Sequence, residues 1–351
     1  MKYRALADTG VFVSELCLGA MTFGGKGGIW ETIGGMNQAE VDTMVGRALD
    51  AGINFVDTAN VYATGESETM TGKALKGRRQ EVVLATKVRG RMGPGPNDVG
   101  LSRHHIMESV EASLKRLGTD YIDLYQIHRT DSYTNIEDTV RALDDLVRQG
   151  KVRYVGCSNL WAWQVMQALA VADGQGLERF KCTQSYYSLL GREIEHDLIP
   201  LIEDQGMGLL VWSPLAGGFL SGKFTRGQKG KGRRASFDFP PIDKEKGYDV
   251  VDVMKKIAKK RDASVAQVAL AWVLANEAVT TVIIGARNLK QRDDNIGAVD
   301  VELTEKDVAA LDEASETALP YPAWMDSLGS DRLPGEARRL EQAQGGAAKS
   351  Q

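Results

Sequence analysis

The chain has 351 residues, of which 43% are hydrophobic and 26% charged, an ordinary balance for a globular protein. Its formal net charge of -4 provides neither a broad basic surface for nucleic acid nor a polybasic membrane tether. Cys17, Cys157 and Cys182 lie in apolar strand-like runs and are predicted to be small buried hydrophobes, since three thiols are too few for a disulfide framework or a four-cysteine zinc site.

The N-terminus lacks the apolar segment of a signal peptide, and no apolar run approaches the roughly 18 residues of a membrane span. We therefore expect a cytoplasmic protein whose partner is a small molecule rather than a membrane or a nucleic acid. An anionic ligand would need a local group of positive charges.

Eight short apolar runs bounded by turn residues alternate with helical stretches along the chain. The helical stretches carry an apolar stripe, as in Ile106, Val110, Leu114 and Leu117. This alternation predicts an α/β fold, a closed parallel (β/α)8 (TIM) barrel, whose usual size is ~250 residues. The predicted strands lie near residues 13–20, 54–60, 82–88, 122–128, 152–159, 181–187, 208–214 and 280–286.

About a hundred residues remain for additions to a barrel of the usual size. Residues 3–13 are predicted to form an N-terminal β-hairpin, with its turn at Asp8-Thr9-Gly10, that covers the bottom of the barrel. Long loops at 23–35 and 215–245 follow the first and seventh strands and would border the active face, because loops after barrel strands line that face.

The C-terminal part begins with a predicted helix from Thr304 to Ala314 and continues in an extension that contains Tyr321 and Trp324. Because no linker interrupts the alternation, one domain is predicted over residues 1–328. Residues 329–351 are polar and poor in large apolar side chains, which predicts a loosely held tail.

Four polar side chains lie at or just past the ends of the second, third and fourth predicted strands: Asp57, Tyr62, Lys87 and His128. Parallel strands of a barrel bring their ends together at one face, so these side chains can meet there. Singly, each has a structural explanation: an ion pair between Asp57 and Lys87, a rim tyrosine, and a histidine that ends a strand. Their joint placement favours an active site.

A tyrosine beside a lysine can donate a proton to a carbonyl group. The ammonium of Lys87 would lower the pKa of the Tyr62 phenol from about 10 toward neutrality, and Asp57 would keep Lys87 charged. His128 would hydrogen-bond the carbonyl oxygen or share the proton relay. No metal is required, since the four histidines show no ligand spacing. In a rival interpretation, Lys87 is the Schiff-base nucleophile of a barrel aldolase.

Six short motifs follow one another from one end of the barrel region to the other. They are residues 52–59 leading to Tyr62, Ala85-Thr86-Lys87, residues 123–128, Gly156-Cys157-Ser158-Asn159, Trp212-Ser213-Pro214-Leu215 and Ile284-Gly285-Ala286-Arg287. Through them the chain resembles the aldo-keto reductase family over about residues 3 to 325. The resemblance implies the same barrel and hydride transfer from C4 of a reduced nicotinamide to a carbonyl carbon.

The resemblance also implies a catalytic tetrad of Asp57, Tyr62, Lys87 and His128. Tyr62 would be the general acid in reduction and the general base in oxidation. One departure follows the tyrosine: Ala63-Thr64 replaces a glycine-containing step that is common in the family, so the shape of this loop is in question.

The chain has no Gly-x-Gly-x-x-Gly at a strand-to-helix turn, which argues against a Rossmann-type site. The resemblance implies a nicotinamide cofactor extended across the barrel mouth, with its ring stacked on Trp212. Arg287 would engage a 2'-phosphate and favour NADPH over NADH, unless it stacks on the adenine or pairs with Asp293 or Asp294. The implied cofactor-binding residues are Met21, Thr22, Asp57, Ser158, Asn159, Gln184, Trp212, Ser213, Leu215, Gly217, Lys223, Gly285, Arg287, Gln291 and Asn295.

The predicted substrate wall is mainly aromatic, and such walls accept steroids, aryl carbonyls and sugar rings. The family also contains channel-associated regulatory subunits that keep the fold and the cofactor site, which leaves a nicotinamide-sensing role as the alternative to an enzyme. The candidate substrate-binding residues are Trp30, Arg129, Phe219, Tyr321 and Trp324.

Overall fold

The computed structural model describes residues 1–25, 29–227 and 233–328, so the predicted tail at 329–351 lies outside the described residues. The chain divides into two compact units, Met1–Glu316 and Thr317–Gln351. The predicted extension of the first domain to residue 328 stays a prediction.

The described residues of the first unit form ten strands: β1 (Tyr3–Ala5), β2 (Phe12–Ser14), β3 (Leu16–Gly19), β4 (Phe55–Asp57), β5 (Val83–Val88), β6 (Ile122–Ile127), β7 (Val152–Ser158), β8 (Phe180–Tyr186), β9 (Gly208–Trp212) and β10 (Val279–Ile284). The first two pair antiparallel as the N-terminal hairpin. The other eight are parallel and close into a barrel in the order β10-β3-β4-β5-β6-β7-β8-β9, which confirms the predicted (β/α)8 fold.

The helices cover the outside of the barrel with the apolar stripes that the sequence predicts. In the helix Arg103–Leu117 the stripe residues Ile106, Val110, Leu114 and Leu117 are all buried. The helices are α1 (Ile29–Ile33), α2 (Gln38–Asp50), α3 (Glu66–Ala74), α4 (Arg103–Leu117), α5 (Ile136–Arg148), α6 (Ala162–Gln175), α7 (Leu198–Gln205), α8 (Arg233–Ser236), α9 (Lys244–Arg261), α10 (Val265–Ala275), α11 (Leu289–Ile296) and α12 (Glu305–Ser315).

The hydrophobic core has two parts. The larger part lies between the strands and the helices, and the smaller part fills the barrel interior. Leu6 from the hairpin belongs to the interior cluster together with Cys17 and Cys182, so the hairpin closes the bottom of the barrel as predicted. All three cysteines are buried free thiols.

Two long connections follow β3 and β9, as the sequence predicts. The first loop, residues 20–37, contains α1, and the second loop, residues 213–243, contains α8; these two short helices pack against each other. In the part of the chain that the structure describes, no helix combines the length and the apolar character that a bilayer crossing requires.

Candidate active site

The four polar side chains at the strand ends form one contiguous cluster. Lys87 Nζ donates to Asp57 Oδ2 at 2.5 Å, to the Thr58 carbonyl at 2.8 Å and to the Tyr62 hydroxyl at 3.4 Å. The imidazole of His128 packs edge-on against the Tyr62 ring, with centroids 5.7 Å apart and an interplanar angle of 76°. The predicted convergence is therefore present, and the catalytic roles stay predictions.

Strand pairing explains why these residues meet. Asp57 pairs with Ala85 and Lys87 pairs with Gln126, so the carboxyl ends of β4, β5 and β6 lie side by side. Side chains alternate between the two faces of a strand, and Lys87 therefore points into the barrel while Thr86 points outward.

The turn after β4 presents Tyr62 to the mouth of the barrel. Ala63 (φ 46°), Thr64 (φ 55°) and Gly65 (φ 91°) all adopt left-handed backbone conformations. This region is unusual for a β-branched residue such as Thr64, so the turn is strained at the position where the family often has glycine. The turn ends where α3 begins, one residue later.

Asp57 is a buried carboxylate whose two oxygens are both occupied. Oδ2 accepts from Lys87, and Oδ1 accepts from Gln184 Nε2 at 2.9 Å and from Gln126 Nε2 at 3.2 Å. These donors fix Asp57 and, through it, the ammonium of Lys87. The sequence analysis missed Gln126, although its inward-facing position, two residues after the core residue Leu124, could have indicated a polar contact inside the barrel.

The pKa of the Tyr62 phenol differs from the expectation. Burial raises it most, the Asp57 carboxylate adds to the rise, and Lys87 only partly offsets them, so the net pKa lies above its usual value. The predicted lowering toward neutrality is wrong for the protein alone. A phenol that stays protonated at neutral pH keeps the proton that a general acid must donate.

Lys87 and His128 carry different charges. Burial lowers the pKa of Lys87, but Asp57 and Tyr62 outweigh that effect and raise the net value, so the amine stays protonated. Burial, followed by the positive charges of Lys87, Arg129 and Arg89, lowers the pKa of His128 to about 3. A neutral imidazole can donate a hydrogen bond to a carbonyl oxygen. A protonated lysine lacks the lone pair that a Schiff-base nucleophile needs, which disfavours the aldolase interpretation.

A groove of about 680 Å³ opens beside the cluster and is lined both by Tyr62 and His128 and by the residues that begin α11. Ser158, a predicted cofactor residue, is buried and does not line the groove; its hydroxyl donates to the Gln184 carbonyl at 2.8 Å. The predicted cofactor residues that line the groove are Met21, Thr22, Asp57, Asn159, Gln184, Trp212, Ser213, Leu215, Gly217, Lys223, Gly285, Arg287, Gln291 and Asn295.

Trp212 is held in a fixed orientation beside the cluster. Its Nε1 donates to Asn159 Oδ1 at 3.0 Å, and Asn159 Nδ2 donates to the His128 carbonyl at 3.0 Å. The ring of Phe239, from the second loop, stacks on the indole at 5.8 Å with an interplanar angle of 6°. The sequence analysis missed Phe239, because nothing in an irregular loop indicates which of its aromatic residues reaches the groove.

The second loop offers groups that suit an anion. Gly217 has φ 67°, and a Cβ there would lie 2.3 Å from the Phe239 carbonyl oxygen, so only glycine fits. Arg234 is buried, lines the groove and donates to the Ala216 carbonyl at 2.8 Å, yet its Nε has no hydrogen-bond partner among the described residues. Its Nη2 is ion-paired with Asp238 at 2.9 Å, so the guanidinium is anchored and Nε is the donor left over. That donor and the exposed Lys223, which also lines the groove, suit a pyrophosphate. The sequence analysis missed Arg234.

Arg287 makes a contact that the sequence analysis did not anticipate. Its guanidinium hydrogen-bonds the Thr32 carbonyl in the first loop. Asp293 instead pairs with Arg292, and Asp294 accepts from the Ser264 hydroxyl at 3.0 Å. The α11 end of the groove is thus fastened to the loop that follows β3.

The candidate substrate residues lie in different places. Trp30 is 5.9 Å from the Tyr62 ring, centroid to centroid. Phe219 is buried in the core, where its ring stacks on Phe224 at 5.5 Å, and it does not line the groove. The phenylalanines that line the groove are instead Phe224, Phe237 and Phe239.

The remaining candidates lie outside the groove lining. Arg129 is exposed. Tyr321 and Trp324 belong to the second unit, with their rings 6.0 Å apart.

Across residues 1–25, 29–227 and 233–328, no group of three histidine, cysteine or carboxylate side chains is arranged to hold a metal ion. The fold and the site together define a (β/α)8-barrel protein with a buried cluster of ionisable side chains beside a long groove at the barrel mouth. Comparisons with known proteins agree with this class.

A sequence model of the Aldo/keto reductase family matches residues 15–316. The "Uncharacterized oxidoreductase YrpG" of Bacillus subtilis is 39% identical over 89% of this chain and 95% of that protein. The "Versiconal hemiacetal acetate reductase" of Aspergillus parasiticus is 36% identical over 89% and 96%, and a "Probable voltage-gated potassium channel subunit beta" of Arabidopsis thaliana is 37% identical over 86% and 92%. The chain belongs to the aldo/keto reductase family, and it is an oxidoreductase of the kind that uses nicotinamide cofactors.

Proposed function

We propose that the protein is an NADPH-dependent reductase that converts aldehydes or ketones to alcohols, reversibly. The observation that carries this proposal is the contact between the Tyr62 hydroxyl and the Lys87 ammonium beside the neutral imidazole of His128. When bound, the reduced nicotinamide supplies the hydride. Tyr62 donates its proton to the carbonyl oxygen, Lys87 stabilises the phenolate that remains, and His128 orients the carbonyl through a hydrogen bond.

The groove adds proximity to this chemistry. A carbonyl held against the Tyr62 hydroxyl reacts within one complex, and such preorganisation can remove roughly 7–11 kcal/mol of a barrier. Asn159, Gln184 and Trp212 would hold the nicotinamide, and Gly217, Lys223 and Arg234 would hold the pyrophosphate. Lys87 is fully buried, so its ammonium acts on the carbonyl through the Tyr62 hydroxyl rather than through bulk solvent.

The direct test follows NADPH consumption with a panel of aldehydes, ketosugars, quinones and ketosteroids. We expect turnover of at least one of these carbonyl classes. A nicotinamide-binding regulatory subunit is the second candidate, since one relative is named a potassium channel β subunit. Negligible turnover across the panel, combined with tight NADPH binding and co-purification of a membrane protein, would favour that candidate.

The cofactor preference rests on Arg287, which we propose binds the 2'-phosphate of NADPH. Hydrogen bonds to charged groups contribute roughly 1.5–3 kcal/mol, so Arg287→Ala is expected to raise the Kd for NADPH about ten- to hundredfold. The Kd for NADH, which lacks this phosphate, should change by less than about threefold. Fluorescence titration of both cofactors makes the measurement, and equal Kd values in the unmodified protein would refute the assignment.

A further inference from the structure

A second polar cluster lies behind the catalytic tetrad, between the barrel wall and the helices α3 and α4. Its centre is Glu68, a carboxylate with no solvent exposure. Glu68 Oε1 accepts from the Thr86 hydroxyl at 2.6 Å, and Oε2 accepts from Arg116 Nε at 2.6 Å. Neither the proposed proton transfer nor the cofactor groove uses this cluster.

The two partners of Glu68 connect it to the tetrad along the chain. Thr86 precedes Lys87 on β5, and because strand side chains alternate, a bond to Thr86 on the outer face fixes the strand that presents Lys87 on the inner face. Glu68 itself lies in the first turn of α3, directly after the strained turn that presents Tyr62. One carboxylate therefore ties the element carrying the phenol to the strand carrying the ammonium.

A neighbouring bond reinforces this tie. The Ser67 hydroxyl donates to the Ala20 carbonyl at 2.7 Å and lies 2.9 Å from the Thr58 hydroxyl, so the start of α3 is also bound to the ends of β3 and β4. Glu68 differs from these hydroxyls because it is charged. Arg116 compensates that charge from the helix side, with its side chain only 23% exposed.

The surroundings make the Glu68 bonds strong. Thr86 and its strand neighbour Tyr125 are fully buried, and the Tyr125 hydroxyl and the Thr71 hydroxyl have no hydrogen-bond partner among the described residues. Burial and the Glu68 carboxylate both raise the pKa of Tyr125, which keeps that phenol neutral. A charge-assisted hydrogen bond is stronger where the surroundings are buried, because water does not compete for the donor or the acceptor. The hydrogen bond from Thr86 to Glu68 is therefore expected to be strong.

We propose that Glu68 is a positioning residue for the proton donor: through Thr86 it sets the separation between Lys87 Nζ and the Tyr62 hydroxyl. This inference rests on the proposed function. The separation is 3.4 Å, near the limit of a hydrogen bond, where a small displacement removes most of the interaction. Lys87 lowers the pKa of Tyr62, so a looser contact raises that pKa and slows proton transfer.

The test replaces Thr86 with valine, which keeps the shape and removes the hydroxyl donor. We expect kcat for carbonyl reduction to fall about tenfold or more, since a misplacement of about 1 Å can cost a hundredfold. The KM for NADPH should stay within about twofold of wild type, because the groove residues are untouched. The pKa of Tyr62 should rise.

The pKa is read directly, without turnover, from the NMR titration of protein labelled with ¹³Cζ-tyrosine. The chain has ten tyrosines, and the signal that disappears in Tyr62→Phe identifies the residue. Glu68→Gln provides a second variant, which keeps an acceptor oxygen and removes the charge. We expect it to shift the Tyr62 titration in the same direction as Thr86→Val, by a smaller amount.

Asp307→Asn is the matched control. Asp307 is also a buried carboxylate that accepts from a threonine, Thr304 Oγ1 at 2.8 Å, and from an arginine, Arg261 Nε at 2.8 Å, but it lies on α12. We expect Asp307→Asn to lower the melting temperature without moving the Tyr62 titration. If Thr86→Val and Glu68→Gln behave in the same way, Glu68 is merely structural and the inference is overturned.

The proposed function can fail independently of this inference. If the wild-type protein reduces no carbonyl, the proposed function fails, while the Tyr62 titration still reports whether Glu68 and Thr86 control the phenol. If the Tyr62 titration is unchanged in both Thr86→Val and Glu68→Gln, the positioning role is refuted, even where turnover is high.

Discussion

Replacing Tyr62 with phenylalanine is expected to lower kcat for NADPH-dependent carbonyl reduction about a hundredfold or more, the low end of what general acid catalysis contributes. The change removes only the hydroxyl that Lys87 contacts, and the ring retains its packing against Trp30 and His128. Binding of NADPH should therefore change little. Steady-state kinetics at saturating cofactor, together with a fluorescence titration of NADPH, make the measurement.

The pH dependence provides the companion result. Because burial raises the pKa of Tyr62, the phenol stays protonated past its ordinary value of about 10, and the rate of reduction should hold until the pH exceeds that value. Alcohol oxidation needs the deprotonated phenol, so its rate should climb as the pH rises. Two results would contradict the assignment. One is turnover retained in Tyr62→Phe, and the other is a fall in the rate of reduction near neutral pH that is present in wild type and absent in this variant.

Replacing Lys87 with methionine is expected to lower both stability and activity. The substitution leaves Asp57 as a buried carboxylate without its cation, and breaking a buried ion pair in this way costs about 3–5 kcal/mol. Two amides, from Gln126 and Gln184, still hold one oxygen of Asp57 but carry no charge. Urea denaturation followed by circular dichroism gives the loss as a lower unfolding midpoint.

A double variant separates the two effects. Asp57→Asn combined with Lys87→Met removes both charges, and with them the uncompensated buried carboxylate that destabilises the single variant. We therefore expect the urea unfolding midpoint to return toward the wild-type value. The kcat should stay at least about a hundredfold below wild type, because the phenolate formed by Tyr62 lacks its cation. If activity returned together with stability, Lys87 would have only a structural role.

The eight barrel strands could be predicted because short apolar runs alternate with amphipathic helical stretches along the chain. This alternation can be recognised from neighbouring residues alone. The convergence of Asp57, Tyr62, Lys87 and His128 follows from the same regularity, since the ends of parallel strands must share a face. The motifs around them added the expected chemistry.

What could not be predicted depends on distances between elements. Phe239 and Arg234 line the groove but belong to an irregular loop, whose sequence has no hydrophobic periodicity to indicate which side chains face inward. Phe219, in the same loop, is buried in the core instead. The sign of the Tyr62 shift was wrong for a related reason, because burial has to be weighed against the nearby ammonium. Glu68 lies in the first turn of α3, where acidic residues are common, and its contact with Thr86 depends on how that helix packs against β5.

The bond between Arg287 and the Thr32 carbonyl attaches the first loop at the α11 end of the groove, and Trp30 of the same loop faces Tyr62 at the other end. A dinucleotide phosphate that draws the guanidinium away from Thr32 would remove one restraint on the first loop. Occupancy at one end would then reshape the wall at the other. We expect the two ligands to enter in sequence, with the dinucleotide preparing the enclosure that receives the carbonyl compound.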